Sequence, residues 1–158
     1  MKKILSFLFA ILLMAGIASA DGIGAGSTGF PNEYRTVYNN SSGTLDAGDL
    51  VIWDIGSSTG DDDAYVTTTT TADTFLVAGV VVSDILDGQT GTILTKGIID
   101  IDLGAAHSIG GANALLCSDG TTAGGVDVCS STTSDADAIG YSVAAAGAST
   151  VKAYVFGR

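Results

Sequence analysis

Ala47-Gly48-Asp49-Leu50-Val51-Ile52-Trp53-Asp54 decides the fold, because the order of strand and turn that it opens recurs once further along the chain. After it come a polar Gly/Asp loop, a strand-like run at Ala64 to Thr69, a Thr-rich link with Ala72-Asp73, the run Val77-Ala78-Gly79-Val80-Val81-Val82 and the run Thr92 to Gly97. The second pass starts at Gly111-Ala112-Asn113-Ala114-Leu115-Leu116-Cys117-Ser118. It continues through a Gly-rich loop, Val126-Asp127-Val128, Asp135-Ala136-Asp137, Ala138 to Val143 and Val151 to Gly157. One duplication falls short of a solenoid, which needs three or more stacked units. It predicts two similar β-lobes that share a core.

Working outward, the remaining runs are Arg35 to Tyr38 and Ile98 to Leu103, which brings the expected strands to about ten. The punctuation between them is made of Asp-Gly, Gly-Asp and Ala-Gly pairs, residues that supply tight turns. Seventeen acids and 22 glycines, with one proline and much Thr, Ser and Val, disfavour helix and suit short strands. Outside the first twenty residues no apolar periodicity of helical type persists for a dozen residues. The fold class expected is all-β: a β-barrel or β-sandwich in two lobes, with little helix after the N-terminal segment.

The first twenty residues, MKKILSFLFAILLMAGIASA, have the three parts of a secretory signal peptide. Lys2 and Lys3 form the basic start, Ile4 to Ile17 the apolar run, and Ala18-Ser19-Ala20 the small-residue cleavage site. The expected cut lies between Ala20 and Asp21, and the apolar run is short for a membrane span. The exported chain would then divide into a Gly-rich, flexible arm at 21–34, including Asp21, Gly22, Phe30 and Pro31, and one all-β domain at 35–158. The formal charge of −11 becomes two units more negative without Lys2 and Lys3, which excludes a nucleic-acid surface of the usual basic kind.

Export also sets the chemistry of Cys117 and Cys129. They flank a Gly-rich turn, and in an oxidising compartment a disulfide clamping that hairpin is expected. A zinc site is the rival, and two thiols without a nearby His or third Cys leave it under-ligated. Asp61-Asp62-Asp63, with Asp54 upstream, gathers hard oxygen ligands of the kind calcium takes. The loop lacks the spaced Asp pattern and the distal glutamate of a dedicated calcium loop, so a solvated acidic turn is the leading expectation and calcium the alternative. No other cofactor is expected.

The succession AGDLVIWD, LVAGVVVSDI, GQTGTILTKGIIDIDL, GGANALLCSDG and AIGYSVAAAGASTVKAYVFG resembles the small capsid decoration proteins of tailed phages, the DUF2190-like group. The resemblance runs from Leu45 to the C-terminus and lies in structural motifs: a GD-V strand, an (A/V)G(V/I) strand and a final apolar strand ending in Gly. It implies a barrel or β-clip body, a non-enzymatic head-stabilising role on a capsid lattice, and a homo-oligomer, often a trimer. Family members normally lack a signal peptide, and this chain departs from them there. The alternative is a secreted bacterial surface, fibre or binding-module subunit. Its localisation would be periplasmic, extracellular or cell-surface, against the virion for the first reading.

Other motifs have plainer explanations. Gly24-Ala25-Gly26-Ser27-Thr28-Gly29 matches G-x-G-x-x-G but has neither the preceding strand nor the following helix that pyrophosphate binding needs. Thr67 to Thr71 is expected to be a strand leaving into a polar turn. His107 is the only histidine and stands in a loop-like stretch, and no G-x-S-x-G elbow accompanies it. Trp53 is expected to anchor a core or a subunit contact. Asn39 and Asn40 fall in N-x-S sequons, relevant only where the host glycosylates. No catalytic residues are expected.

Overall fold

The computed structural model describes residues 31–56, 64–105, 107–130 and 137–156. The described residues form β1 (Glu33–Asn39), β2 (Leu50–Trp53), β3 (Tyr65–Thr67), β4 (Val77–Val81), β5 (Thr90–Asp102), β6 (Leu115–Ser118), β7 (Val126–Val128), β8 (Gly140–Ser142) and β9 (Thr150–Val155), with no helix among them. The all-β expectation holds. Nine strands stand where about ten were expected, because the runs Thr92 to Lys96 and Ile98 to Leu103 are one strand. Gly97 does not break it: the residue sits at φ 133°, a conformation open to glycine, where β5 changes partner from β1, whose register shifts beside Lys96, to β9.

That long strand organises the molecule. In the first lobe the order β1-β3-β2-β4-β5 closes on itself, because β1 pairs in parallel with β3 and antiparallel with the N-terminal half of β5, from Glu33 opposite Lys96 to Tyr38 opposite Thr90. The result is a closed five-stranded barrel, which leaves no free edge. In the second lobe the C-terminal half of β5 pairs with β9, and the order continues β9-β8-β6-β7. The circuit returns to the end of β5 through a parallel bridge between Leu103 and Val126 and the bond from Gly104 N to Val126 O, 2.9 Å.

The repeat read from the sequence is therefore a repeat of pairing. β2 pairs antiparallel with β3 and β4, and β4 with β5; β6 pairs likewise with β7 and β8, and β8 with β9. The C-terminal half of β5 plays for the second lobe the part that β1 plays for the first. Equivalent residues share constraints: a Cβ at Gly79 would strike the carbonyl of Leu94, and one at Gly140 would strike the carbonyl of Tyr154. Both glycines lie where a neighbouring backbone comes too close for any side chain.

Two apolar clusters fill the lobes. Val37, Leu45, Val51, Val66, Ala78, Val81, Ile85 and Ile93 fill the first barrel. The larger cluster holds Ile101, Leu103, Ile109, Leu116, Val126, Ile139, Val151, Ala153 and Val155 of the second lobe, and it also takes in Leu50, Val80 and Leu94. Those three alternate with the barrel-filling Val51, Val81 and Ile93, so they point outward from the first barrel. The second lobe covers them. This explains why β2 and β4 are apolar at nearly every position: both faces are buried.

Candidate functional site at the seam of the two lobes

The lobes meet along backbone bonds from Leu50 N to Gly124 O (2.7 Å) and Asp102 N to Gly48 O (3.0 Å). Buried Ser118 completes the seam: its hydroxyl donates to Thr71 O at 2.9 Å and accepts from Thr74 N at 3.0 Å. Beside these contacts opens a cleft of about 450 Å³ whose lining includes Asp49, Asp102, His107, Thr122 and Ser149.

Carboxylates dominate its electrostatics. Asp49 accepts from Asp46 N at 2.8 Å, and Asp84 accepts from Ala47 N at 2.9 Å. Burial pushes the Asp49 carboxyl above its ordinary value; the Asp46 amide pulls it back in part, and the charges of Asp102, Asp46 and Asp84 push it further up. Burial raises Asp102 as well, with the charge of Asp46 adding to it. His107 lines the cleft from a loop pinned by Ala105 N to Thr122 Oγ1 (2.9 Å) and Ser108 N to Asp127 Oδ1 (2.8 Å). Its Nδ1 is buried with no hydrogen-bond partner among the described residues. Sequence reading had treated Asp49 and Asp102 as turn and strand residues only. The signal that brings them together is the pairing of Gly48 with Asp102, which no local pattern encodes.

The sequence-derived candidates fall elsewhere. Cys117 and Cys129 are disulfide-bonded, Cα atoms 4.9 Å apart, tying β6 to the residue just after β7 as the hairpin reading required. The donor atoms of Asp73 lie near both sulfurs, which are already bonded to each other; Asp73 accepts from Ser130 Oγ at 2.9 Å. Metal ligation there is excluded by the same disulfide. Asp54 accepts from Asn40 Nδ2 at 2.6 Å, whereas Asp61, Asp62 and Asp63 lie outside the described residues. So do Ala20, Asp21, Gly22, Phe30 and the G-x-G-x-x-G stretch; Pro31 is exposed just ahead of β1.

Trp53 is half-buried against the first core, with the Arg35 guanidinium 4.6 Å from its ring centroid. Of the threonine run only Thr67 is in a strand, and Thr69 Oγ1 accepts from Thr71 N in the turn that follows. Asn39 is fully buried and its amide donates to Gly43 O and Ile85 O, both at 2.7 Å, so the first sequon serves the interior. Among the described residues the one histidine shares the cleft with Asp49, Asp102, Thr122 and Ser149.

The architecture defines a class: an all-β body of two similar lobes, the first a closed five-stranded barrel, that share one strand. The chain is similar in fold to the N base of the head fibre gp8.5 of bacteriophage phi29, seen in a crystal structure. The likeness has a TM-score of 0.54 at 18% identity and covers 80% of this chain and 95% of that one. No family model matches the chain, the DUF2190-like group included, and no curated protein matches it.

Proposed function

We propose that this chain is a non-enzymatic structural subunit of a phage virion, seated on the head surface. The observation that supports the reading is the extent of the fold likeness: nearly all of the phi29 fibre base is spanned, by a chain whose own pairing is duplicated in the same pass. A role in decorating and stabilising the head is the finer form of the proposal. In this reading the two lobes supply a rigid body, the Cys117–Cys129 bond holds the β6–β7 hairpin, and the expected arm, shortened to 21–32 because Glu33 and Tyr34 belong to β1, reaches a neighbouring subunit or the lattice. The acidic surface keeps the free subunit soluble.

The signal-like segment at 1–20 favours a second reading, a secreted fibre or surface subunit of a bacterium, in which cleavage after Ala20 and export are expected. Mass spectrometry of purified virions and of the host envelope fraction separates the two. Peptides of this chain in virions are the expected result, with the mature N-terminus at Asp21 if export also holds. Peptides confined to envelope or medium overturn the virion reading and leave the surface subunit.

A further inference from the structure

The duplication assigns each strand position in one lobe a counterpart in the other, and one row of counterparts is treated differently. In the first lobe Leu50 lies opposite Val80, Val80 opposite Leu94, and Leu94 opposite Tyr34. In the second, Leu115 lies opposite Tyr141, Tyr141 opposite Tyr154, and Tyr154 opposite Ile98. The rows correspond residue for residue, and both are apolar. Leu50, Val80 and Leu94 are at most 1% exposed because the second lobe covers them, and only Tyr34 at the end of the row is open, 56% exposed. Tyr141 and Ile98 remain 44% and 46% exposed.

The uncovered row is the centre of a wider face. Strand alternation places Phe156 and Lys152 on the same side of β9 as Tyr154, and Asp100 beside Ile98 on β5. The rings form a cluster, with Tyr141 and Phe156 centroids 5.0 Å apart and Tyr154 and Phe156 6.1 Å. Val143, 45% exposed, extends it past the end of β8. At its margins Lys152 pairs with Asp100 at 3.7 Å and Lys96 with Glu33 at 3.2 Å. On a chain with a formal charge of −11, these are the two lysines among the described residues, and both border this one face.

We propose that the aromatic face of β5, β9, β8 and β6 is where a second copy of this chain docks. The molecule itself shows what satisfies such a row: Leu50, Val80 and Leu94, three of the four residues of the counterpart row, are sealed by a lobe of the same kind. Charge selects the same surface. Two copies of a strongly acidic chain repel each other over most approaches, whereas on this face Lys96 and Lys152 balance Glu33 and Asp100, so copies can meet there and exchange ion-pair partners. Exposed tyrosines, apolar in body and polar at the tip, suit an interface core. Four strands span only roughly 15 Å, so the contact is smaller than a standard stable interface and tightens when copies are held side by side. The inference holds for a virion or a cell-surface subunit alike.

Sedimentation equilibrium of the full chain across a wide concentration range tests it, alongside carbodiimide cross-linking of a mixture of ¹⁴N- and ¹⁵N-labelled protein. The expected result is reversible self-association that Tyr141→Glu weakens tenfold or more and Leu86→Glu, on an exposed turn of the first lobe, leaves unchanged. Lys152-to-Asp100 cross-links joining the two isotopes are expected in the unsubstituted protein, a readout that does not depend on any variant folding. A chain that stays monomeric throughout, or association equally strong in Tyr141→Glu, overturns the proposal. So does binding of the face to phage heads or lipid vesicles without self-association.

Discussion

The two lobes are built on one plan and closed by different means. The first closes through a full antiparallel ladder between β1 and β5 together with the parallel β1–β3 pairing. The second has no strand of its own to spare for that purpose and closes through the single Leu103–Val126 bridge. A covalent bond, Cys117–Cys129, stands in the second lobe alone; the counterpart of Cys117 in the first is Ile52, opposite Thr67. The lesson is that the lobe with the weaker closure carries the disulfide, where constraining the unfolded chain has the most to offset. The first lobe relies on hydrogen bonds and on burial from both sides.

The comparison can be broken first at the shared constraint. Gly79→Ala and Gly140→Ala each force a side chain into a neighbouring strand's carbonyl, and each is expected to cost about 3 kcal/mol or more. Similar losses in denaturant midpoint for the two variants bear out their equivalence; a harmless Gly140→Ala refutes it. Reducing Cys117–Cys129, or replacing both with Ser, is expected to cost about 3 kcal/mol for a loop of this size. Hydrogen exchange should then speed up at Leu115 to Ser118 and stay as it was at Leu50 to Trp53. Uniform acceleration in both lobes would show that the disulfide does not act locally.

Arg35→Ala removes the cation from the Trp53 ring and is expected to cost about 0.5–1 kcal/mol, confined to the first lobe. The smallest effects concern protons. Asp49 and Asp102 have carboxyls raised in the folded state, so their charged forms oppose folding at neutral pH, and stability rises as pH falls through their folded values towards 3.8. Asp119, in the β6–β7 hairpin, behaves oppositely. Burial pushes it up, but the Thr121 hydroxyl and the Thr122 and Thr121 amides together outweigh that and hold it low. Its contribution is full above 3.8 and is lost as pH falls through its folded value. Thermal melts from pH 7 downward should therefore rise and then fall, and Asp102→Asn should flatten the rise.

Much of this was legible in the chain. Turn pairs such as Asp87-Gly88 and Asp119-Gly120 marked the strand ends, and the two passes of strand and turn announced the duplication because each pass forms the same local pairings. What sequence reading missed is long-range. Gly97 reads as a break when the strand is considered alone, and only its partners, β1 up to Lys96 and β9 from Gly97 on, carry the pairing across it. The covered row was hinted at by Gly79-Val80-Val81, apolar at consecutive positions, where its counterpart Gly140-Tyr141-Ser142 alternates. The carboxylates of the seam left no such trace, since Asp49 and Asp102 are far apart in the chain and each has the surroundings of an ordinary turn or strand residue.

One consequence of the long middle strand concerns the route of the polypeptide. Glu33 lies opposite Lys96 and Val155 opposite Gly97, consecutive residues of β5, with β1 and β9 both antiparallel to it. The backbone thus enters and leaves the body at adjacent points, and everything between forms a ring with a single gap. A short linker from Phe156 to Asn32 would fill that gap. New ends could then be cut in the turn at Asp87-Gly88, giving a circular permutant in which both barrels keep every pairing they have now.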